Sequence, residues 1–120
     1  MIDYNLVGPG RAGRSLAAAL DGRGWRLVQT FGRLDDHRRA ASNVEVVILA
    51  VPDDAIAEVA SSVAPGRAAL LHLSGAKGLD VLRPHERRGS AHPLMSLPDP
   101  AIGAARLTAG AVFAVDGDPV

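Results

Sequence analysis

The chain has 120 residues, 13 basic and 13 acidic side chains that cancel, and no cysteine. That is the length of one domain, it rules out disulfide and thiolate chemistry, and it lacks the basic excess of a general nucleic-acid or membrane-surface binder. At 48% hydrophobic but 3% aromatic, its core has to be built from Ala, Val, Leu and Ile.

The apolar run Ile2–Val7 predicts a buried strand. Gly8-Pro9-Gly10-Arg11-Ala12-Gly13 follows, and a helix is expected from Arg11 to about Asp21, ended by Gly22 and Gly24. Trp25 to Phe31 reads as a second strand with Leu27 and Phe31 on one face, broken by Gly32. Asp35 to Ala41 reads as a short polar helix capped by Asp35. Val44 to Val51 is almost continuously apolar, as in a central parallel strand covered on both faces. Pro52 stops it, and Asp53 or Asp54 caps a helix in which Ile56, Val59, Ala60 and Val63 follow helical spacing.

Pro65-Gly66 turns the chain into a further buried strand, Ala68–Leu73. A short helix from Leu79 to about Arg83 precedes Pro84. Gly89–His92 is a strand ended by Pro93, Leu94 to Gly110 a loop, Ala111–Val115 the last strand, and Asp116 to Pro119 a turn. Strands alternate with helical connections, so the fold class is α/β: one doubly wound domain over 1–120. Its sheet is mostly parallel, with helices on both faces.

The glycines between the first strand and helix fall as G-x-G-x-x-G, the pattern of a dinucleotide site. Gly8 permits the sharp turn, Gly10 lets a pyrophosphate approach the backbone, and Gly13 lets the helix pack close to the strand. Free N–H groups of Arg11, Ala12 and Gly13, with the helix dipole, face the phosphates. The competing reading is an ordinary glycine-rich turn. The strand Val46–Val51 is expected beside the first strand at the topological switch point, where ligands bind beyond the strand ends. Ala50, Val51, Pro52 and Asp53 then line the same crevice.

A carboxylate at the end of the second strand marks a preference for NAD. This chain has Gly32-Arg33 there, and a guanidinium suits the 2′-phosphate of NADP, so NADP is expected over NAD. Asp35 and Asp36 are the reason to keep NAD open: either could fold back toward the ribose.

Two later strand ends carry polar groups, Ser74 after His72-Leu73 and His92 before Pro93. Neighbouring parallel strands would bring them together, with Ser74 contacting substrate or cofactor and His92 polarising a carbonyl or accepting a hydroxyl proton. No G-x-S-x-G elbow is present to make the pair a hydrolase. Lys77, the single lysine, reads mainly as a surface residue and His72 as structural. His37 and His85 read as surface residues, and no spacing suggests a metal site.

With these residues in view, the chain resembles the Rossmann-like oxidoreductases of the 6-phosphogluconate-dehydrogenase-like superfamily. The match lies in Gly8–Gly13, Gly32-Arg33, Val47-Ile48-Leu49-Ala50-Val51-Pro52-Asp53, His72-Leu73-Ser74-Gly75 and His92-Pro93-Leu94. It is most similar to proteins that join such a domain to a helical domain of unknown function, the DUF2520 group. The first part also resembles pyrroline-5-carboxylate reductases and coenzyme-F420-dependent NADP oxidoreductases. The second part resembles prephenate and arogenate dehydrogenases, whose Ser-x-x-Lys and His-Pro are matched by Ser74-Gly75-Ala76-Lys77 and His92-Pro93. The resemblance implies that Ser74 and His92 meet the substrate hydroxyl.

Those relatives carry a helical C-terminal domain that completes the active site and the dimer, and 120 residues match only their N-terminal half. The resemblance therefore implies a homo-oligomer, a partner helical domain, a truncated form or a chain that does not catalyse alone. The expected function is NADP-dependent hydride transfer to or from a small keto or hydroxy acid, or the cofactor-binding part of such an enzyme. The alternatives are a non-catalytic nucleotide-binding module acting as a sensor or partner subunit, and a site for a flavin or mononucleotide. The start, Met1 to Asn5, lacks the features of a secretory signal, and no apolar stretch reaches membrane-spanning length, so a cytoplasmic location is expected.

Overall fold

Six strands form one sheet, in the order β2-β1-β3-β4-β5-β6. They are β1 (Ile2–Val7), β2 (Trp25–Phe31), β3 (Val46–Leu49), β4 (Ala69–His72), β5 (Arg88–Pro93) and β6 (Phe113–Gly117). The first five run parallel, and β6 lies antiparallel to β5. The computed structural model describes residues 2–8, 10–74, 77–93 and 113–117. Among them the helices are α1 (Arg11–Leu20) and α2 (Ile56–Ser62), with 3-10 turns at Asp53–Ala55 and Leu79–Leu82. None is long and apolar enough to cross a membrane.

β3 is four aliphatic residues, all buried, because both of its faces are covered. Val46 and Ile48 pack with Tyr4, Leu6 and Leu16 beneath α1. Val47 and Leu49 pack on the other face with Val7, Phe31, Ile56, Ala60 and Leu82. The two layers therefore share the alternation of the strands between them. β1 pairs with β2 on one side and β3 on the other, so the chain reverses direction across the sheet between β1 and β3, as expected.

The structure corrects four local expectations. Leu27 and Phe31 do not share a face. Tyr4 stands beside Leu27 but Asn5 beside Gln29, so a bulge at Val28 reverses the alternation. Leu27 falls on the Tyr4 side and Phe31 on the Val7 side.

Residues 32–45 form successive turns instead of a helix, with Ala40 N–H donating to His37 O (3.0 Å) and Ser42 N–H to Arg39 O (3.0 Å). Asp35 does not cap forward, because its carboxylate accepts from Gly32 N–H behind it. The crossover is anchored by Asn5 Nδ2, which donates to Ala40 O at 2.7 Å.

Asp53 and Asp54 make no side-chain cap. They sit inside the 3-10 turn that precedes α2. The last strand begins two residues later than expected and takes in Asp116 and Gly117, read above as a turn. The expected loop over 94–110 lies outside the described residues.

Candidate functional site

The carboxyl ends of β1, β2 and β3 are tied by backbone bonds. Gly8 N–H donates to Phe31 O at 2.9 Å, and Ala50 N–H to Val7 O at 2.8 Å. At Gly8 the backbone takes φ +98°, and a Cβ there would overlap the Ala50 carbonyl. A Cβ on Gly13 would meet Gly8 O at 2.5 Å and Ala50 Cβ at 3.1 Å, so α1 leaves no room for a side chain where it crosses the strand ends. Gly10 differs, with nothing within 4 Å of the position its Cβ would take. Two glycines of the motif are therefore required by packing, and the third faces open space. No side chain caps α1, and its first backbone bond runs from Arg14 N–H to Gly10 O at 2.9 Å.

Gly8 and Gly10 line a cleft of about 700 Å³ together with Gly32, Arg33 and the Ala50-Val51-Pro52 segment. These residues come from three strand ends, as the sequence reading expects. Arg11 and Asp53 directly follow cleft residues in the chain, but neither they nor Ala12 and Gly13 line it. Pro9 lies outside the described residues.

Of Asp35 and Asp36, which the sequence leaves open, Asp35 lines the cleft; His37 and Glu58, Val59 and Ser62 of α2 also line it and were missed. Asp35 Oδ2 accepts from Gly32 N–H at 2.6 Å, while His37 Nε2–H donates to Gly32 O at 2.9 Å. Both ends of the Gly32 residue are thus held by side chains of one loop. The His37 ring stands edge-on to Phe31, at 6.2 Å and 76°. It is half-buried, contrary to the surface position expected for it. Asp36 is instead paired with Arg38 at 2.8 Å, and the guanidinium holds its carboxyl down at about 2.

His85 is also corrected. It is 3% exposed, and its Nε2–H donates to Ala60 O at 2.9 Å, linking the segment after Leu82 to α2.

A second polar group sits where β4 ends. His72 is fully buried, and its Nδ1 accepts from Ser74 N–H at 3.1 Å. The ring proton is therefore on Nε2, which donates to Gly78 O at 3.0 Å. Ser74 Oγ accepts from Lys77 N–H at 3.2 Å, so His72 is structural and Ser74 helps to shape its own loop. Gly75 and Ala76 lie outside the described residues. β4 and β5 are in register from Leu70 and Arg88 to His72 and Ser90, where β4 ends two residues short of Ser74. The strand path of His92 is described; its side chain is not. Among the described residues, no group of three or more His, Asp or Glu is placed to hold a metal ion.

A parallel sheet with its chain reversal between β1 and β3, and a glycine turn feeding a helix at that point, defines a Rossmann-like protein. A model of the Rossmann-like domain family matches residues 26–98, well over half of the chain, and the chain belongs to that family.

Solved structures agree on the fold. A semialdehyde dehydrogenase NAD-binding protein from Cupriavidus necator, in complex with calcium and NAD, is 27% identical with a TM-score of 0.60, over 82% of this chain and 43% of that one. Plasmodium falciparum pyrroline carboxylate reductase with NADP bound is 13% identical with a TM-score of 0.64, over 98% and 48%. Prephenate dehydrogenase from A. aeolicus, in complex with hydroxyphenyl propionate and NAD+, is 18% identical with a TM-score of 0.59, over 78% and 42%. The chain thus spans less than half the length of each. No protein of curated function matches it.

Proposed function

We propose that the cleft takes a nicotinamide dinucleotide and that the chain is the cofactor-binding part of an oxidoreductase acting on a small keto or hydroxy acid. The observation that carries this reading is the division of labour in the glycine turn. Gly8 and Gly13 are jammed against backbone, while Gly10 leaves open space above an uncapped helix start. That is the shape a pyrophosphate needs. The bound cofactors of the Cupriavidus and Plasmodium proteins support the same choice of ligand.

Backbone N–H groups of Arg11, Ala12 and Gly13 hold the pyrophosphate, and Val51 and Pro52 flank the adenosine. Arg33, exposed at the cleft rim, pairs with a 2′-phosphate and favours NADP. When bound, the nicotinamide donates or accepts the hydride. Ser74 and His92 hold the substrate oxygen and its proton. Hydride transfer needs solvent excluded from the reacting atoms, and a second copy or a partner helical domain supplies that wall.

Calorimetric titration of the chain with NADPH and NADH, alongside Arg33→Ala, tests this reading. The expected result is tighter binding of NADPH, with the preference lost in the variant. Binding of neither nucleotide would overturn it.

A further inference from the structure

A groove runs between the C-terminal half of α1 and the edge strand β2, toward the opposite end of the sheet from the glycine turn. Tyr4, Ala18, Asp21, Trp25 and Leu27 line it, and it holds about 640 Å³. That volume falls within the roughly 300–1,000 Å³ of sites for small organic molecules. It shares no lining residue with the cleft at the glycine turn.

Tyr4 forms part of its wall from within the core. The residue is 1% exposed, and among the described residues its hydroxyl has no hydrogen-bond partner. The ring is fixed at right angles to Trp25, with centroids 5.8 Å apart and 73° between the planes. A buried hydroxyl left unpaired costs stability, and the groove is where a partner can reach this one. Burial, and after it the Asp21 carboxylate, push this hydroxyl above its ordinary range, so it keeps its proton near neutral pH.

The charge of the groove has a sign. Asp21 is the C-cap of α1, where the helix dipole disfavours an acid, and the last turn of the helix carries no basic residue to offset it. Among the described residues Asp21 forms no salt bridge. Arg26 also lines the groove, but its Nε and Nη2 donate to the two carboxylate oxygens of Asp3 at 2.9 and 2.8 Å, so its charge is already answered. What is left is negative, beside the indole of Trp25 and a Leu27 side chain that is 41% exposed. A carboxylate next to an indole and an aliphatic wall suits a cation with an apolar body.

We propose that this groove is a second binding site and takes an aryl-alkyl ammonium: the cation sits against Asp21, the carbonyl end of α1 and the Tyr4 hydroxyl oxygen, and the apolar body lies against Trp25 and Leu27. The site is independent of what the glycine-turn cleft binds.

Trp25 is the single tryptophan of the chain, so intrinsic fluorescence reads this groove directly. Phenethylamine, titrated at neutral pH, is expected to change the emission saturably and to raise the thermal midpoint. Phenylacetate, an anion of similar size, is expected to do neither. Asp21→Asn should weaken phenethylamine by about tenfold and Tyr4→Phe by about fivefold, each the size of one lost polar contact. Asp54→Asn removes an exposed acid elsewhere on the surface and should leave the affinity unchanged. A response that does not saturate, equal binding of phenylacetate, an unchanged affinity in Asp21→Asn, or an equal loss in Asp54→Asn overturns the proposal.

Discussion

A methyl group placed on Gly13 would stand 2.5 Å from the carbonyl oxygen of Gly8. The two outer glycines of the turn thus depend on each other, whereas a Cβ on Gly10 between them would meet nothing within 4 Å. Gly13→Ala should cost about 1–3 kcal/mol of stability, the usual price of overpacking. Gly8→Ala should cost more, since it adds strain at φ +98° to overlap with Ala50. Gly10→Ala should leave the urea midpoint almost unchanged and still weaken nucleotide binding. Denaturation and calorimetry on the three variants check this, and a Gly10 variant that binds normally would remove the glycine turn from the site.

His72 and Ser74 should separate in the same way at the end of β4. His72→Phe strands Ser74 N–H in a buried setting, while the exposed Gly78 O turns to water, and should cost about 1–3 kcal/mol, the penalty of one unmet polar group. Ser74→Ala loses the acceptor for Lys77 N–H and should cost about 1 kcal/mol. Chemical denaturation checks both. If Ser74 meets substrate, its variant should also lose turnover far beyond that small change in stability.

Asp36 should leave a trace in the acid limb of the stability curve. Its carboxyl is held down to about 2, against an ordinary value of 3.8, by the Arg38 guanidinium. A carboxyl with a depressed value in the folded state adds stability that is present above its ordinary value and is lost as pH falls through the folded one. The window therefore lies between about 4 and about 2. The pair is solvent-exposed, so the contribution is small and weakens further with salt. Urea titrations of wild type and Asp36→Asn across that window should converge at the acid end.

The framework of the fold was legible because its signals were long and one-sided. β3 is an unbroken aliphatic run, β4 is one up to His72, and the glycine turn sits between a strand and a helix. The bulge at Val28 was not legible, since alternation assumes a period of two and nothing in Trp25–Phe31 marks the extra residue. The crossover was misread because Asp35 has the chemistry of a forward cap, yet its shortest bond runs backward to Gly32. That same bond brought Asp35 into the cleft, which spacing alone left open between Asp35 and Asp36. His85 carries no pattern of burial in sequence, and it is buried because its ring reaches Ala60 O, 25 residues earlier.

The extra residue at Val28 has a consequence for evolution by insertion and deletion. One short edge strand serves two layers, with Trp25 packed beneath α1 and Phe31 in the opposite core. Removing Val28 would restore strict alternation and leave the strand's end where it is, because Gln29, Thr30 and Phe31 already pair in step with Asn5, Leu6 and Val7. Phe31 would stay on the Val7 side, and Gly32 and Arg33 would keep their place beyond it. Val28 is therefore the position where β2 can lose a residue at little cost to the ligand chemistry that begins where the strand ends, whereas losing a residue from the paired stretch that follows would leave that end one step short.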